Sequence, residues 1–284
     1  MNYYIIIPAH NEEAFLASTL DSILDQTLLP QKVFLVNDNS TDTTEDIMDS
    51  FTAQNGIFQK INITSSSTHM PGSKVINAFN KGLGKIPASY GFLVKLDADI
   101  ILPDNYFEKI STIFKNNPKI GIAGGFAYEQ NTDGKWYLNH PMNNDHVRGA
   151  FKAYTQACFT AIGGLKSAMG WDTVDELLAR YHGFDIYTEE TLKVKHLRPT
   201  GNAYNSKAKY LQGKAMYRMR YGFWISFIAS AKMAWKQRNV QSLFDNIQGY
   251  LSSKKGKDSF LVAKEEGDFI RSLRWRNIKK KLFR

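Results

Sequence analysis

Two carboxylates, Asp97 and Asp99, stand one residue apart at the end of the apolar run Phe92–Leu96. Carboxylates beside a buried strand lose hydration, which is costly unless a cation or hydroxyl groups replace the water. In an extended strand the side chains at i and i+2 share a face, so both could meet one ligand. One or two carboxylates with substrate phosphates usually bind magnesium or manganese. The spacing therefore predicts a metal site that serves a phosphorylated substrate.

A second polar cluster, residues 36–42, follows another apolar strand and contains Asp38. A carboxylate just past a strand could accept hydrogen bonds from a nucleobase or from ribose hydroxyls. The same residues could also form an ordinary Asx or Ser/Thr turn that caps a helix. A third polar cluster, residues 8–13, follows the first apolar strand. Because three such clusters follow strands in corresponding places, we favour the binding function for Asp38.

The elements around these clusters bring all three to one edge of a sheet. Short apolar runs alternate with stretches of helical periodicity over the first hundred residues. Such alternation predicts an α/β fold with a mostly parallel sheet flanked by helices, in which ligands bind beyond the carboxyl ends of the strands. We expect strands over residues 3–7, 32–36, 57–63 and 91–96, and helices over residues 15–24, 41–52 and 73–82.

The rest of the chain is less regular. We expect a strand over Phe126–Glu129, a helix over Trp171–Tyr181 and an aromatic helix near residues 215–236. The single cysteine, Cys158, excludes an intramolecular disulfide and a cysteine-based zinc cluster. The run Tyr221–Ala231 is well short of the roughly 20 apolar residues that a membrane span needs. We expect a cytoplasmic protein without a secretory signal or a transmembrane helix.

Composition and charge divide the chain into two parts. Its 284 residues, 43% of them hydrophobic, can bury a substantial core, which excludes disorder as the main state. Residues 1–205 carry 17 basic and 22 acidic side chains, whereas residues 206–284 carry 19 and 5. We predict an α/β catalytic domain over residues 1–205 and a helical, basic extension over residues 206–284. The extension's charge suits an anionic surface such as lipid head groups.

The three clusters together resemble the nucleotide-binding half of the family 2 glycosyltransferases, which have the Rossmann-like GT-A fold. The segments that carry the resemblance are Ile7-Pro8-Ala9-His10-Asn11-Glu12-Glu13, Val36-Asn37-Asp38-Asn39-Ser40-Thr41-Asp42 and Asp97-Ala98-Asp99. The likeness continues through residues 158–165 and 170–176, and it covers about residues 3–200. Asn37 and Asn39 depart from the family's more frequent Val-Asp-Asp-Gly-Ser-x-Asp.

Roles for single residues follow from this resemblance. It implies that Asp38 contacts the nucleotide base, that Asp99 holds Mn²⁺ or Mg²⁺, and that Asp97 touches ribose or the metal. Lys74 and Asn80 lie in a stretch similar to the family's Gly-Lys-x-x-Ala-x-Asn-x-Gly segment. His196 resembles the histidine that completes the metal site in some GT-A enzymes. The residues implied to line the base and ribose are Pro8, Ala9, His10, Asn11 and Glu12.

An acidic pair in the later segment supplies the catalytic base in this family. That base takes the proton of the acceptor hydroxyl as its oxygen attacks the anomeric carbon. The usual pattern is Glu-Asp, whereas this chain has Asp172, Asp175 and Glu176. On a helix, Asp172 shares a face with either of the other two, so the base stays ambiguous. We expect Asp175 first and Asp172 second, and one displacement with one base implies inversion.

The predicted function is metal-dependent transfer of a sugar from a nucleotide-diphosphate donor to a glycan or lipid-linked acceptor in surface polysaccharide synthesis. The family's habit favours a UDP-sugar. The basic, aromatic tail could hold the protein at the inner face of the cell membrane as a peripheral protein, or its helices could simply pack on the catalytic domain. We expect no nucleic-acid partner, because clustered carboxylates repel a polyanion.

Three alternative functions remain from the sequence. A nucleic-acid-binding protein would use the tail, but it leaves Asp38, Asp97 and Asp99 without a role. A sugar nucleotidyltransferase would also use metal-binding aspartates, yet it usually has an early glycine-rich phosphate loop, and residues 5–20 contain no glycine. The third alternative is a protein that binds nucleotide but transfers nothing.

Overall fold

The computed structural model describes residues 1–65, 72–139, 144–198 and 210–282, with side chains through residue 280. The strands are β1 (Tyr3–Ala9), β2 (Lys32–Asp38), β3 (Phe58–Ile63), β4 (Phe92–Leu96), β5 (Ile100–Ile101), β6 (Ile120–Gln130), β7 (Trp136–Leu138), β8 (Phe151–Thr155) and β9 (Asp185–His196). The helices are α1 (Leu16–Leu24), α2 (Thr44–Gln54), α3 (Ser73–Leu83), α4 (Tyr106–Asn116), α5 (Gln156–Ala161), α6 (Trp171–Tyr181), α7 (Leu211–Arg218), α8 (Phe223–Gln237), α9 (Gln241–Gly256) and α10 (Lys264–Leu282).

The first half of the sheet is parallel. Strands β3, β2, β1 and β4 lie side by side in that order, and Ile5 of β1 lies opposite both Val33 and Val94. β1 is buried along its whole length, as expected for a parallel strand covered on both faces. It continues through Pro8 rather than ending before it. Proline is tolerated there because β4 pairs only as far as Ile6, which leaves one neighbour at this end of the strand.

The second half of the sheet mixes directions. β8 lies between β4 and β6 and runs antiparallel to both, whereas β9 runs parallel to β6. The sequence predicted only residues 126–129 of β6, because Gly121, Gly124 and Gly125 weaken its strand pattern. Gly125 is required by the packing, since a Cβ there would lie 2.4 Å from the carbonyl oxygen of Leu192. The predicted α/β sheet flanked by helices is confirmed, with antiparallel strands added beyond β4.

Two lysines lie in the core of this sheet. Lys95 of β4 and Lys152 of β8 are opposite each other in the ladder, and both are buried. A buried ammonium group needs an anionic partner to offset its lost hydration. Lys95 contacts Asp97, and Lys152 contacts both Asp175 and Glu176. The lysine pair thus draws carboxylates from two segments toward the middle of the sheet.

Helices α7, α8 and α9 pack against one another, α10 packs against α6 and α8, and residues such as Met216, Met219 and Ile225 join the apolar core of the sheet. α7 and α9 touch backbone to backbone at two glycines. A Cβ at Gly213 would lie 1.8 Å from the carbonyl oxygen of Asn246, so only glycine fits. A Cβ at Gly249 would likewise lie 2.1 Å from a carbonyl oxygen of the opposite segment.

The aromatic helix predicted near residues 215–236 is two helices. α7 ends at Arg218 and α8 begins at Phe223, because Arg220 (φ 56°) and Gly222 (φ 76°) have positive φ angles that do not continue a right-handed helix. The predicted boundary at residue 205 falls within residues 199–209, outside the described part of the chain, so the division into two domains stays a prediction. None of the helices in the described ranges combines the length and the apolar character that crossing a bilayer requires.

Candidate active site

A cavity of about 820 Å³ opens beyond the carboxyl ends of β1, β2 and β4. Its volume is typical of small-molecule binding sites, and it lies at the sheet edge where such sites form. We call it the strand-end cavity. Its lining residues are Pro8, Ala9, His10, Glu12, Asp38, Asn39, Thr64, Ser65, Lys74, Val75, Ala78, Asp97, Ala98, Asp99 and Arg198.

Hydrogen bonds hold together the loops that follow β1 and β2. The side-chain oxygen of Asn11 accepts from the N–H of Thr41 at 2.8 Å, and the N–H of Asn11 donates to Ser40 Oγ at 3.1 Å. The His10 ring nitrogen Nδ1 lies 2.7 Å from the carbonyl oxygen of Asp38. Asn11 therefore braces the two loops and does not line the cavity, unlike the other four candidates of residues 8–12.

Asn39 adopts a left-handed backbone conformation, with φ of 54°. Asparagine is one of the few residues that tolerate this conformation, which explains how it can stand where the family more often has glycine. Asn37 closes the same turn, since its side-chain oxygen accepts from the N–H of Ser40 at 3.1 Å. The turn keeps Asp38 in the cavity wall, where its Oδ1 accepts from the N–H of Ser65 at 2.9 Å.

Lys74 reaches the cavity from the first turn of α3. This end of α3 is tied to the segment before α6: Ser73 Oγ donates to the carbonyl oxygen of Ser167 at 3.0 Å, and Ser167 Oγ donates back to that of Ser73 at 3.1 Å. Asn80, in the same predicted stretch, is exposed and does not line the cavity. Of this stretch, Lys74 is the residue that brings a positive charge to the cavity wall.

Asp97 and Asp99 lie in a turn after β4, not in the extended strand from which a shared face was expected. The Asp97 carboxylate contacts the Lys95 ammonium group. The Asp99 carboxylate is buried, and its Oδ2 lies 3.3 Å from His196 Nε2. Its other oxygen, Oδ1, is buried without a hydrogen-bond partner among the described residues. The turn therefore leaves one carboxylate oxygen open at the cavity.

Negatively charged side chains lie close together around Asp99. Partial withdrawal from water raises the pKa of Asp97; the Lys95 ammonium opposes this shift, and the charge of Asp99 adds to it. Burial lowers the pKa of His196, but its hydrogen bond to Asp99 and the charges of Asp99, Asp97 and Glu129 outweigh burial, so the pKa is raised. The raised pKa of His196 indicates an excess of negative charge here, which favours binding of a cation.

This arrangement fits a divalent cation. A buried carboxylate oxygen without a partner costs free energy that a metal–oxygen bond would offset. Within the described ranges, no three His, Cys, Asp or Glu side chains converge on one point as a complete metal site. Magnesium-like ions are commonly bound by only one or two carboxylates, with substrate phosphates and water as the other ligands. Asp99 fits such a site, with His196 and Asp97 as its neighbours.

Arg198 lines the cavity and was not predicted. Its guanidinium nitrogen lies 2.6 Å from Glu12 Oε2, and the group stacks 5.4 Å from the centre of the Phe15 ring. Burial raises the pKa of Glu12 to about 7 against the pull of Arg198, and the charge of Asp99 acts in the same direction as burial. The sequence offered one signal for Arg198, its position two residues after His196 at the end of a strand.

Asp175 and Glu176 lie on the buried side of α6, around the core lysine. Lys152 Nζ is 3.0 Å from Asp175 Oδ1 and 3.0 Å from Glu176 Oε1. The Tyr154 hydroxyl donates to Asp175 Oδ2 at 2.6 Å, and His146 Nδ1 lies 2.9 Å from Glu176 Oε2. Each of the four carboxylate oxygens has a partner. We call these five residues the α6 ion cluster.

The pKa values within the α6 ion cluster diverge. Burial raises the pKa of Asp175 to about 7, opposed by Lys152 and reinforced by Glu176. For Glu176, burial is outweighed by Lys152 and His146, and the pKa falls to about 2. A pKa near 7 would suit a general base. However, the Asp175 side chain is only 1% exposed and both its oxygens are engaged, so an acceptor hydroxyl has no access to it.

Asp172, in the first turn of α6, has an open carboxylate. Its backbone carbonyl oxygen accepts from Lys152 Nζ at 2.5 Å, whereas its side chain has no hydrogen bond or ion pair within the described residues. It faces a cavity of about 840 Å³ between the start of α6 and helices α7, α8 and α10. We call this the Asp172 cavity.

A short link connects Asp172 to the strand-end cavity. A Cβ on Gly149 would lie 3.1 Å from the Cβ of Asp172, so this part of the chain packs directly on α6. The next residue, Ala150, accepts a hydrogen bond from the N–H of Asp97 at 2.7 Å. Asp172 therefore lies beside the segment that supports Asp97.

The sequence analysis did not identify the residues that contact the acidic side chains of α6. Lys152 and Tyr154 lie in the apolar strand β8, where a lysine flanked by phenylalanine and alanine is a signal for a buried ion pair. His146 and Arg274, which also approach α6, carried no signal in the sequence.

Residues 4–169 match the model of the family described as Glycosyl transferase family 2. This match covers more than half of the chain. The chain belongs to glycosyl transferase family 2. The predicted family is confirmed by this match, which ends just before α6.

Among curated relatives of this family 2 member is the poly-beta-1,6-N-acetyl-D-glucosamine synthase of Staphylococcus epidermidis. The two are 28% identical over 120 residues, which cover 42% of this chain and 27% of the relative. The chain spans between about a quarter and two fifths of the length of the curated relatives it matches.

Two solved structures have a similar fold. TarS 1-349 of S. aureus, in complex with UDP-GlcNAc, has a TM-score of 0.58 and 16% identity, with 78% of this chain and 65% of that chain covered. The mannosyltransferase PcManGT of Pyrobaculum calidifontis, in complex with GDP-Man and Mn²⁺, has a TM-score of 0.57 and 15% identity, with 95% and 79% covered. At such identities the likeness concerns the fold, and the predicted GT-A fold of this family 2 member is confirmed.

Proposed function

We propose that this family 2 member is a metal-dependent, inverting glycosyltransferase. It moves a sugar from a nucleotide-diphosphate donor to a glycan or lipid-linked acceptor in surface polysaccharide synthesis. The observation that carries this proposal is the buried Oδ1 of Asp99 at the strand-end cavity, which has no hydrogen-bond partner in the described part of the chain. The family match favours this function over a nucleic-acid-binding protein and over a sugar nucleotidyltransferase.

The donor binds in the strand-end cavity. Asp38 accepts from the nucleotide base, and the chain at Pro8, Ala9, His10 and Glu12 lines base and ribose. Lys74 brings positive charge to the diphosphate. Asn11 acts indirectly, because its hydrogen bonds hold the two loops in register.

Asp99 holds the divalent cation, Mn²⁺ or Mg²⁺, with Asp97 and His196 as further candidate ligands. When bound, such an ion stabilises the negative charge that builds on the diphosphate as the sugar bond breaks. The Asp97 carboxylate contacts Lys95 through Oδ1, so its other oxygen can accept a hydrogen bond from a ribose hydroxyl.

Asp172 is the general base in this proposal, in preference to Asp175. Its carboxylate is open to the Asp172 cavity, whereas Asp175 and Glu176 are engaged in the α6 ion cluster. Asp172 takes the proton of an acceptor hydroxyl as that oxygen attacks the anomeric carbon and the diphosphate leaves on the opposite side. One such displacement inverts the anomeric configuration.

A UDP-sugar is our proposed donor. TarS was solved with UDP-GlcNAc and PcManGT with GDP-Man and Mn²⁺, which supports a nucleotide-diphosphate sugar and a divalent ion as the general class.

The C-terminal helices add a membrane surface to the proposal. On α8, Trp224, Phe227 and Trp235 recur at helical spacing and are exposed, Trp224 to 67% and Trp235 to 80%. Lys236 and Arg238 follow directly. Exposed aromatic rings beside cations suit the interface of an anionic bilayer. We call these exposed aromatic residues of α8 the α8 stripe. We propose a cytoplasmic protein that the α8 stripe holds at the inner face of the membrane.

Thermal unfolding with UDP, GDP, CDP or dTDP, each with Mn²⁺ or with EDTA, tests the donor site. A ligand that binds only the folded protein raises its melting temperature. We expect one diphosphate to do so with Mn²⁺, and the shift to vanish in Asp99→Ala. Asp104→Ala, which removes an exposed carboxylate outside the cavity, keeps the shift. If none of the diphosphates stabilises the wild type, the proposed activity is wrong.

Co-sedimentation with vesicles tests the membrane surface. The double variant Trp224→Ser/Trp235→Ser is expected to bind anionic vesicles less than the wild type. Tyr137→Ser, which removes an aromatic ring exposed to 44% on β7, is expected to bind as the wild type does. Equal binding by all three proteins excludes the α8 stripe as the membrane contact.

A further inference from the structure

The Asp172 cavity has a mainly apolar wall. Along α8, Ile228, Ala229 and Met233 line the cavity and are half-buried, so they present apolar atoms to it. Ile278 of α10 is half-buried in the same lining, whereas Ile225, Met216 and Met219 lie behind it in the core, 2–3% exposed. Methionine side chains adapt to irregular apolar shapes, so the wall suits a flexible chain. A purely polar acceptor would lose hydration against these residues without hydrogen bonds in return.

Positive charge lies at the same cavity. Lys232 and Lys236 line it from α8, and Arg274 lines it from α10. Arg274 donates to the Tyr221 hydroxyl at 2.6 Å, but its Nε is buried with no hydrogen-bond partner among the residues that the structure describes. Within the described residues, Arg274 forms no ion pair with a carboxylate. Because a guanidinium group stays charged and binds phosphate through paired N–H groups, an anionic oxygen would satisfy it.

The strand-end cavity and the Asp172 cavity therefore differ in chemistry. The strand-end cavity carries carboxylates and polar loop residues, whereas the Asp172 cavity combines an apolar wall, cations and a single carboxylate. From this combination we propose that the Asp172 cavity binds an acceptor in which an apolar chain is joined to a phosphate group. The inference rests on the proposed glycosyltransferase function and narrows its acceptor to the lipid-linked class. The chain lies along α8, the phosphate lies at Arg274, and the hydroxyl that is glycosylated lies at Asp172.

Binding of farnesyl phosphate to the full chain, measured by titration calorimetry below the concentration at which it forms micelles, tests this proposal. Farnesol has the same chain without the phosphate, and inorganic phosphate lacks the chain. We expect farnesyl phosphate to bind at least about tenfold more tightly than either. Equal binding of inorganic phosphate would reduce the cavity to an anion site and overturn the proposal, and equal binding of farnesol would exclude a role for the phosphate.

Two variants locate the binding. Ile228→Glu adds a negative charge to the apolar wall, and Arg274→Gln removes the cation. Each is expected to weaken farnesyl phosphate binding by about tenfold or more. Gln237→Glu adds the same charge to an exposed position of α8 outside the cavity, and it is expected to bind as the wild type does. Unchanged binding in both Ile228→Glu and Arg274→Gln would overturn the proposal.

The folded state and the donor site are checked in the same samples. If Ile228→Glu has a lowered melting temperature, Arg274→Gln and the two comparison ligands decide the result. A wild type that responds to a nucleotide diphosphate with Mn²⁺ but not to farnesyl phosphate refutes this inference and leaves the proposed function standing. A wild type that responds to neither refutes both.

Discussion

The carboxylates after β4 and those on α6 have opposite relations to their surroundings. Asp99 is buried at the edge of a cavity, and one of its oxygens has no partner within the described ranges. Asp175 and Glu176 are also buried, yet each of their oxygens meets Lys152, Tyr154, His146 or a backbone N–H. Burial alone therefore does not identify a functional carboxylate. The useful distinction is whether burial leaves an oxygen free for a ligand.

The same comparison applies within α6. Asp175 has the pKa expected of a general base but no access for a substrate, whereas Asp172, one turn earlier, has access. Ion pairs that stabilise a fold also perturb pKa values, so a shifted pKa needs a cavity before it indicates catalysis.

The largest expected effect is on catalysis by Asp172. Asp172→Asn removes the proposed proton acceptor without disturbing an ion pair, and kcat is expected to fall about 100- to 10,000-fold with little change in melting temperature. Steady-state kinetics with the identified donor measure the effect. Activity retained in Asp172→Asn but abolished in a folded Asp175→Asn would reverse the assignment.

The next effect concerns the stability of the α6 ion cluster. Lys152→Met leaves two buried carboxylates without their cation, which is expected to cost about 3–5 kcal/mol in the free energy of unfolding. Lys60→Met is the matched control, because Lys60 also pairs with two carboxylates, Glu45 and Asp49, but at the surface. Its expected cost is about 0–1 kcal/mol. Denaturant titrations measure both costs. Equal costs would show that the buried ion pairs of the α6 ion cluster contribute no more to stability than surface ion pairs do.

A direct contrast of the two regions comes from the same substitution in each. Asp175→Asn weakens the contacts with Lys152 and Tyr154 and is expected to lower stability by about 1–3 kcal/mol. Asp99→Asn removes a charge that repels Asp97 but attracts His196, so the two effects oppose each other, and in metal-free protein it is expected to change stability by no more than about 0.5 kcal/mol. Urea unfolding in EDTA measures both. A larger loss for Asp99→Asn would mean that Asp99 serves the fold rather than a ligand.

The smallest expected effect is a loss of folding stability at low pH. The pKa of Glu176 is about 2 in the folded protein, below its ordinary value of 4.5, so its carboxylate stabilises the fold above pH 4.5 and this stabilisation is lost as the pH falls toward 2. Between about pH 5 and pH 3, the wild type is expected to lose about 1–2 kcal/mol more than Glu176→Gln.

Glu265→Gln, at an exposed position of α10, is the control for this acid dependence and is expected to follow the wild type. Urea titrations at each pH provide the comparison. Parallel losses in all three proteins would mean that Glu176 is not held ionised by Lys152 and His146.

Much of the strand-end region could be predicted from the sequence. Asp38 and Asp99 follow apolar strands, and alternating strands and helices bring strand ends to one edge because parallel strands share a direction. Asn39 could be read as a turn residue from its type alone. Arg198 could not be assigned to the same cavity, because its contact with Glu12 joins positions 186 residues apart.

The α6 region was predicted only in part. The helix itself matched residue for residue, Trp171–Tyr181, since its apolar spacing and acidic start are local. The face that is buried was not predicted. Asp172, Asp175 and Glu176 are equally compatible with helical spacing, and Lys152, on a strand not assigned in the sequence, decided that Asp175 and Glu176 turn inward.

The sequence by itself thus determined the order of strands and helices from β1 to β4, the edge at which polar residues collect and the basic character of the C-terminal helices, because periodicity, turn chemistry and charge are local properties. The tertiary structure alone decided which carboxylate oxygens are occupied and that helices α7, α8 and α10 enclose a cavity beside Asp172. The physical reason is that the free energy of a buried charge depends on partners brought from distant parts of the chain, and no local pattern contains them.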